Sequence, residues 1–335
     1  MTISRRALLG AGLVAGLVPR RGRAALSAAI GPAVRVGVLR YGTVSWELDV
    51  VRRHGLDATH GIAVQTREFA TGQATQVALQ AGEVDTVAVD WLWVARQRAT
   101  GAGDWTFIPF SNTAGALMLP ATGPVAAVPD LAGRRLGIAG GPLDKNWLIL
   151  RAYAQRQAGI DLDATAQKTF GAPPLLANAL TAGRLDALLT YWPFAAKGQA
   201  AGQRSLLTTE GAVAGLGIQG VVPMVGYVFS DRWARANRAA LDGFIAATAA
   251  ARDLLARNDD EWPRLRPLAD AGSDAEFDHL RDWYRRGIPR HWGPAEWDAA
   301  AQLYRVLVAV GGPALVGSSD DTLPPGTFWQ AAQSW

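Results

Sequence analysis

Two segments of this chain, Ala78–Trp91 (ALQAGEVDTVAVDW) and Ala179–Trp192 (ALTAGRLDALLTYW), align without a gap at an offset of 101 residues. Alanine, leucine, alanine, glycine, aspartate and the closing tryptophan recur at matching positions. The register extends upstream, where Trp46 meets Trp147 and Phe69 meets Phe170. Solenoid repeats have periods of roughly 20–50 residues. A period near one hundred instead implies two lobes written from one template. Such a chain must bury two related cores and join them, which excludes a single uninterrupted sheet.

Each unit carries the same order of patterns. In the first, AVRVGVLR (33–40) is a Val-rich strand, followed by a helix with Trp46, Val50 and Val51 on one face and Gly55 as its stop. IAVQTREFA reads as a strand, TGQATQVALQAG as a loop entering a helix, and VDTVAVD as a strand. In the second, RRLGIAG is a strand, LDKNWLILRAYAQRQAG a helix closed by Gly159, AQKTFG a strand, PPLLANALTAG a helix and LDALLTYW a strand. Strands alternating with helices predict a parallel sheet in each unit. WTFIPFS and GALMLP add two short strands between the units, and the chain turns helical after GVVPMVGYVFS. Ser273 to Glu276 has the spacing of a capping box, and Pro294 opens a last helix closed by Gly311-Gly312.

The 335 residues suffice for two domains, and a hydrophobic content of 49% against 19% charged supports sizeable cores. There is no cysteine, which excludes disulfides, thiolate metal sites, a cysteine nucleophile and a lipidated N-terminal cysteine. The formal charge of +4 has a local origin. Arg5-Arg6 precede an uncharged run from Ala7 to Val18, and Arg20, Arg21 and Arg23 follow before Ala24. This is the three-part form of an export leader, with small residues Gly22 and Ala24 before a cut near Ala24. SRRALLG resembles a twin-arginine signal; an ordinary secretory leader or an uncleaved anchor is the alternative. Without these five arginines, 28 basic residues face 29 acidic ones. No basic patch then remains to attract nucleic acid.

PVAAVPDLAGRRLGIAGG (124–141) resembles the Pro-Val…Asp-Leu-x-Gly-Lys/Arg-x-Val/Ile-Gly segment that opens the second lobe of periplasmic solute-binding proteins. ALQAGEVD and ALTAGRLDA resemble that family's Ala-Leu-x-x-Gly-x-x-Asp segments. Together they make the chain similar to the nitrate/sulfonate/taurine branch of ABC-transporter substrate-binding proteins, over most of residues 33–230. The resemblance implies an α/β, two-lobed periplasmic binding protein type II fold with two hinge crossings. It implies a ligand in the inter-lobe cleft and delivery to an inner-membrane ABC permease, by a monomer that uses no cofactor. Lobe one is expected from residues 33–118 and 225–335, lobe two from 122–221. The hinges are expected near 117–125 and 221–226, after a leader over 1–24.

Ligands of open α/β sheets bind beyond the carboxyl ends of the strands. That rule selects Tyr41, Gly42, Thr43 and Trp46 after the first strand, Thr71 and Gly72 after the second, and Asp90 and Trp91 after the third. Ser111 and Asn112 follow FIPF. Lobe two contributes Gly140, Gly141, Lys145 and Asn146, then Gly171, then Tyr191 and Trp192; Tyr227 lies by the return hinge. Gly140-Gly141 and Thr71-Gly72 let backbone N–H groups approach a ligand at a helix start, or are plain strand-to-helix turns. Trp91, Tyr191 and Trp192 are expected as aromatic cleft walls. Trp46 and Trp147 lie within amphipathic helices, where core packing competes with a place in the cleft, and Trp93 reads as core. Asp90 and Tyr191 stand at equivalent positions, so the duplicated strands place an acceptor on one wall and a hydroxyl donor on the other. A helix cap is the other reading of Asp90. Lys145 would neutralise an anionic group or lie exposed on its helix.

No arginine falls at a strand end, which disfavours a dicarboxylate needing bidentate capture. A small organic ligand with an apolar or aromatic body and one polar head fits, whether sulfonate-like or heterocyclic. An enzyme on the same fold, of the pyrimidine-precursor synthase kind, is the alternative. It requires a cofactor-bearing lysine and a reactive histidine, whereas His54, His60, His279 and His291 all lie away from strand ends. GxSxG, HExxH and P-loop patterns are absent, so no catalytic residue and no metal ligand is assigned. A ligand-sensing module for a membrane partner is the third reading.

Overall fold

The computed structural model describes residues 31–40, 42–313 and 320–330. The expected leader and Tyr41 lie outside the described residues. Lobe one begins with β1 (Ala33–Leu39), α1 (Val44–Arg53), α2 (Leu56–Thr59), β2 (Ala63–Phe69), α3 (Gly72–Gln80), β3 (Thr86–Val89), α4 (Trp91–Ala99) and β4 (Trp105–Ser111). Lobe two follows with β5 (Gly115–Leu119), β6 (Arg135–Ala139), α5 (Lys145–Ala158), α6 (Leu162–Thr165), β7 (Gln167–Gly171), α7 (Pro173–Thr181), β8 (Ala187–Tyr191), α8 (Trp192–Ala200), β9 (Arg204–Thr208) and α9 (Thr209–Gly215). The chain returns through β10 (Val225–Ser230) and ends in α10 (Asp231–Ala236), α11 (Arg238–Arg257), α12 (Trp262–Ala269), α13 (Asp274–Gly287) and α14 (Pro294–Gly311).

Among the described residues the strands form two five-stranded sheets, ordered β2-β1-β3-β10-β4 and β7-β6-β8-β5-β9. The parallel β2-β1-β3 and β7-β6-β8 halves are the duplicated units. The alternating pattern predicted a parallel sheet in each unit, but neither sheet is wholly parallel. β10 runs antiparallel to β3 and β4, and β5 antiparallel to β8 and β9, because each is a strand entering a lobe from the other one.

The duplication reaches single hydrogen bonds. The aspartate of each repeated Gly-x-x-Asp anchors an arginine on the first strand of its own sheet. In lobe one, Asp85 Oδ2 accepts from Arg35 N (2.8 Å) and Nε (3.1 Å), and Oδ1 from Nη2 (2.6 Å). In lobe two, Asp186 Oδ2 accepts from Arg135 N (2.9 Å) and Nε (3.1 Å), and Oδ1 from Nη2 (2.6 Å). Each fork pins the first strand against the start of the third, and in lobe two the hydrogen bond from Arg135 holds the Asp186 carboxyl below the usual carboxylate range.

The first crossing differs from expectation. Leu117–Leu119, expected at the join, are buried inside β5 of the second sheet, and the chain crosses at Asn112–Ala114. The apolar run GALML fills a central strand, so the turn falls earlier, at polar Ser111-Asn112-Thr113. The return crosses between α9 and β10, over residues 216–224.

The C-terminal helices also depart from the expected partition. β10 and α11 pack with lobe one, α11 against α1 and β1, but α13 packs along α8 and α14 along α5, both helices of lobe two. Ser273 caps α13 by accepting from Glu276 N (3.1 Å), while the Glu276 carboxylate accepts from Gly272 N (3.2 Å) and pairs with Lys197 of α8 (2.8 Å). Two apolar clusters consequently span both lobes. One joins α1, α11, α12 and α13 to α7 and α8; the other joins α3 and α4 to α5, α9 and α14.

Candidate ligand-binding site

The parallel strands of both sheets end facing one another, and their ends position the site. At the end of β3, Asp90 is half-buried and caps α4 by accepting from Trp93 N at 2.9 Å. Its carboxylate satisfies an orphan helix N–H with one oxygen, which leaves the second for another partner. Opposite, the tight turn after β6 uses Gly140 at φ +91°, a conformation glycine adopts without a Cβ clash. Gly140 N donates to Gly171 O (3.1 Å) at the end of β7. The turn delivers Asp144, which caps α5 by accepting from Asn146 N (2.9 Å), and its other oxygen accepts from the Tyr191 hydroxyl at 2.9 Å. A Cβ on Gly140 would stand 2.7 Å from that hydroxyl and 2.8 Å from Asp144 Oδ2, so glycine is required for both reasons.

The electrostatics tie the two walls together. Burial pushes the Asp144 carboxyl above the usual carboxylate range; Lys145 opposes this, and the charge of Asp90 across the cleft adds to it. Burial first, then Asp144, and then Asp90 hold the Tyr191 phenol well above its ordinary range, so it remains a hydroxyl donor. Lys145 is nearly buried beside this group. The site therefore presents two carboxylates, a phenol and one ammonium between the lobes.

Beside it the lobes meet through aromatic rings. Trp46 of α1 and Trp192 of α8 stand edge to face with centroids 6.0 Å apart. Tyr284 of α13 lies 5.7 Å from Trp46 and 6.4 Å from Trp192. Beneath Trp46, Glu47 is wholly buried, paired with Arg252 at 3.3 Å and accepting from the Tyr227 hydroxyl at 2.8 Å. Trp46 is thus both core and inter-lobe contact, whereas Trp147 is only core, packed on Phe170.

Several expected site residues sit elsewhere. Trp91 is completely buried; its indole N–H donates to Pro223 O at 2.8 Å and its ring packs on Tyr304 and Phe328, so it anchors the return crossing instead of lining a cleft. Tyr227 lies inside β10, with its hydroxyl consumed by Glu47. Asn146 is buried, accepting from Thr209 Oγ1 at 3.2 Å, and joins α5 to α9. The Ser111 hydroxyl bonds to the backbone of Thr113 within the crossing. Thr71 caps α3 through Ala74 N (3.1 Å) and is exposed, as is Gly72. Gly42 closes the turn after β1 by donating to Leu39 O (2.9 Å), and Thr43 is buried at the start of α1. Gly141 accepts from Asp144 N (2.9 Å), completing the turn that aims Asp144. Asn112, at the crossing, donates its N–H to Gly287 O (2.7 Å) and lines a different cavity, described below. Asp144 itself was missed, although an Asp ahead of a helix and after Gly-Gly is the signal for a cap.

This two-sheet, two-crossing arrangement is the periplasmic binding protein fold, and the chain has it. Solved structures with this fold superpose over most of its length. The periplasmic aliphatic sulphonate binding protein SsuA from Escherichia coli matches with a TM-score of 0.70 and 20% identity, over 89% of this chain and 92% of that one. The alkanesulfonate-binding protein SsuA from Xanthomonas axonopodis pv. citri, bound to MOPS, matches with 0.67 and 18%, over 90% and 100%. The periplasmic nitrate-binding protein NrtA from Synechocystis PCC 6803 matches with 0.56 and 12%, over 78% and 71%. No family model matches the sequence, and no curated protein matches it.

Proposed function

We propose that the chain is the solute-binding subunit of an ABC importer, exported by its Arg5-Arg6 leader, which holds a small organic ligand between Asp90 of lobe one and Asp144 and Tyr191 of lobe two. The observation that carries this reading is the convergence of these three groups from opposite lobes at the strand ends. Closure would bring the acceptors together around one solute, and the ligand's preference for the closed state would shift the population. The chemistry narrows the ligand. Two carboxylates favour N–H donors or positive charge, so an amine-bearing heterocycle fits better than a sulfonate. Trp46 and Trp192 meet edge to face and are both buried, so they would offer apolar surface to a ligand only when the lobes part. The same groups support capture without bond chemistry: the Tyr191 phenol stays protonated, and His54, at the C-terminal end of α1, is held by Glu261 at 2.9 Å.

The test is a thermal-shift screen of the mature chain against aminopyrimidines, amines, sulfonates and small acids, followed by calorimetry. A solute at 100 Kd raises stability by about 2.7 kcal/mol. Tyr191→Phe and Trp192→Ala should each weaken the aminopyrimidine-class ligand by about 10-fold or more. Sulfonates binding alone would overturn the ligand class, and turnover of a bound solute would overturn the binding role.

A further inference from the structure

A second cavity, of about 640 Å³, lies between the lobes on the β4 and β9 side of the crossings. It shares none of the groups around Asp90, Asp144 and Tyr191. Both crossings wall it, through Asn112 and Thr113 on one strand and Val222 and Met224 on the other; α9 and the end of α13 complete it. Its volume falls in the range of small-molecule sites, roughly 300–1,000 Å³. Val213, Val222, Met224 and Ile288 provide the apolar wall.

The polar groups are uneven. Arg286 and Arg290 stand at the mouth, exposed, and neither belongs to an ion pair among the described residues. Arg286 is laid flat on Trp283, with its guanidinium carbon 4.5 Å from the ring centroid, which fixes the fork while leaving its N–H edge free. Arg285, by contrast, is spent on Asp259 (2.6 Å) and Leu255 O (3.0 Å). On the inner side, the Asn112 carboxamide oxygen is buried with no hydrogen-bond partner among the described residues. The Glu210 carboxylate accepts from Ala114 N (3.2 Å), and burial pushes its carboxyl up while the nearby Arg286 charge opposes this.

We infer that this cavity is a second ligand site, for a small organic acid whose carboxylate or sulfonate meets Arg286 and Arg290, whose body lies on the apolar wall and whose far-end N–H or O–H donor satisfies Asn112. Both crossings line the cavity, so its occupant contacts the segments that must bend when the lobes open. A ligand that fits the closed walls better than the open ones holds the lobes closed, and by reciprocity tightens the cleft for its own solute.

The probe is 4-hydroxybenzoate, with 4-hydroxybenzamide as the uncharged control, titrated into the full mature chain by calorimetry at two salt concentrations. The acid should bind, the amide about 10-fold or more weaker, and added salt should weaken the acid alone. Arg286→Gln with Arg290→Gln should weaken the acid by about 10- to 100-fold, and Asn112→Leu should weaken it while leaving 4-methylbenzoate unaffected. Tyr191→Phe should leave the acid's affinity intact. No binding, equal binding of acid and amide, indifference to the arginine pair, or loss on Tyr191→Phe would each overturn the site.

Discussion

Gly140→Ala tests whether the Asp144–Tyr191 contact is built as described. At φ +91° an alanine is held where L-residues are disfavoured, a penalty of about 1–2 kcal/mol. Its Cβ would also sit 2.7 Å from the Tyr191 hydroxyl and 2.8 Å from Asp144 Oδ2, the two ends of a 2.9 Å hydrogen bond. Both side chains must move apart, and a hydrogen bond to a charged group contributes about 1.5–3 kcal/mol. The variant should therefore lose about 2.5–5 kcal/mol. Tyr191→Phe removes the same hydrogen bond without strain, so the double variant should lose less than the sum by about 1.5–3 kcal/mol. Urea unfolding of the four proteins, followed by tryptophan fluorescence, closes the cycle. Additivity within about 0.5 kcal/mol would refute the coupling, and wild-type stability for Gly140→Ala would refute the turn geometry itself.

Arg252→Met leaves Glu47 buried beneath Trp46 without its counter-charge, and should lower stability by about 3–5 kcal/mol in urea; adding Glu47→Gln should restore part of it, and no restoration would mean that packing carries the effect. The Asp144 carboxyl binds its proton to higher pH in the native state than in the unfolded chain. Its contribution is therefore complete below the usual carboxylate range and is lost as pH rises through the raised value. Wild type should thus lose stability relative to Asp144→Asn as pH rises from the usual carboxylate range through the raised value, and parallel pH profiles for the two proteins would exclude the shift.

The fold was legible because its strongest signals are local and repeated. Ala-Leu-x-Ala-Gly-x-x-Asp carries a helix, its glycine stop and the aspartate that forks an arginine, all within one stretch, so both lobes showed in the sequence. Strand ends were legible too, but side-chain direction was not. Asp90 and Trp91 are neighbours; the first faces the other lobe electrostatically and the second turns beneath α4 to reach Pro223, 132 residues away. Asp144 escaped notice because its role depends on a hydroxyl 47 residues later in the chain. Tyr227 and Asn146 were misplaced for the converse reason: their polar atoms meet buried partners, Glu47 and Thr209, brought by tertiary packing alone. The placement of α13 and α14 on lobe two follows from amphipathic faces that show burial without naming what buries them.

That placement sets how the molecule can move. α13 lies along α8 and α14 along α5, on opposite faces of one sheet, while the chain that bears them emerges from the other. Parting the halves must drag two long helices across their seats, with the Lys197–Glu276 pair as one catch. The C-terminal helices therefore tie the two lobes together, because two of them are seated on the lobe they do not come from.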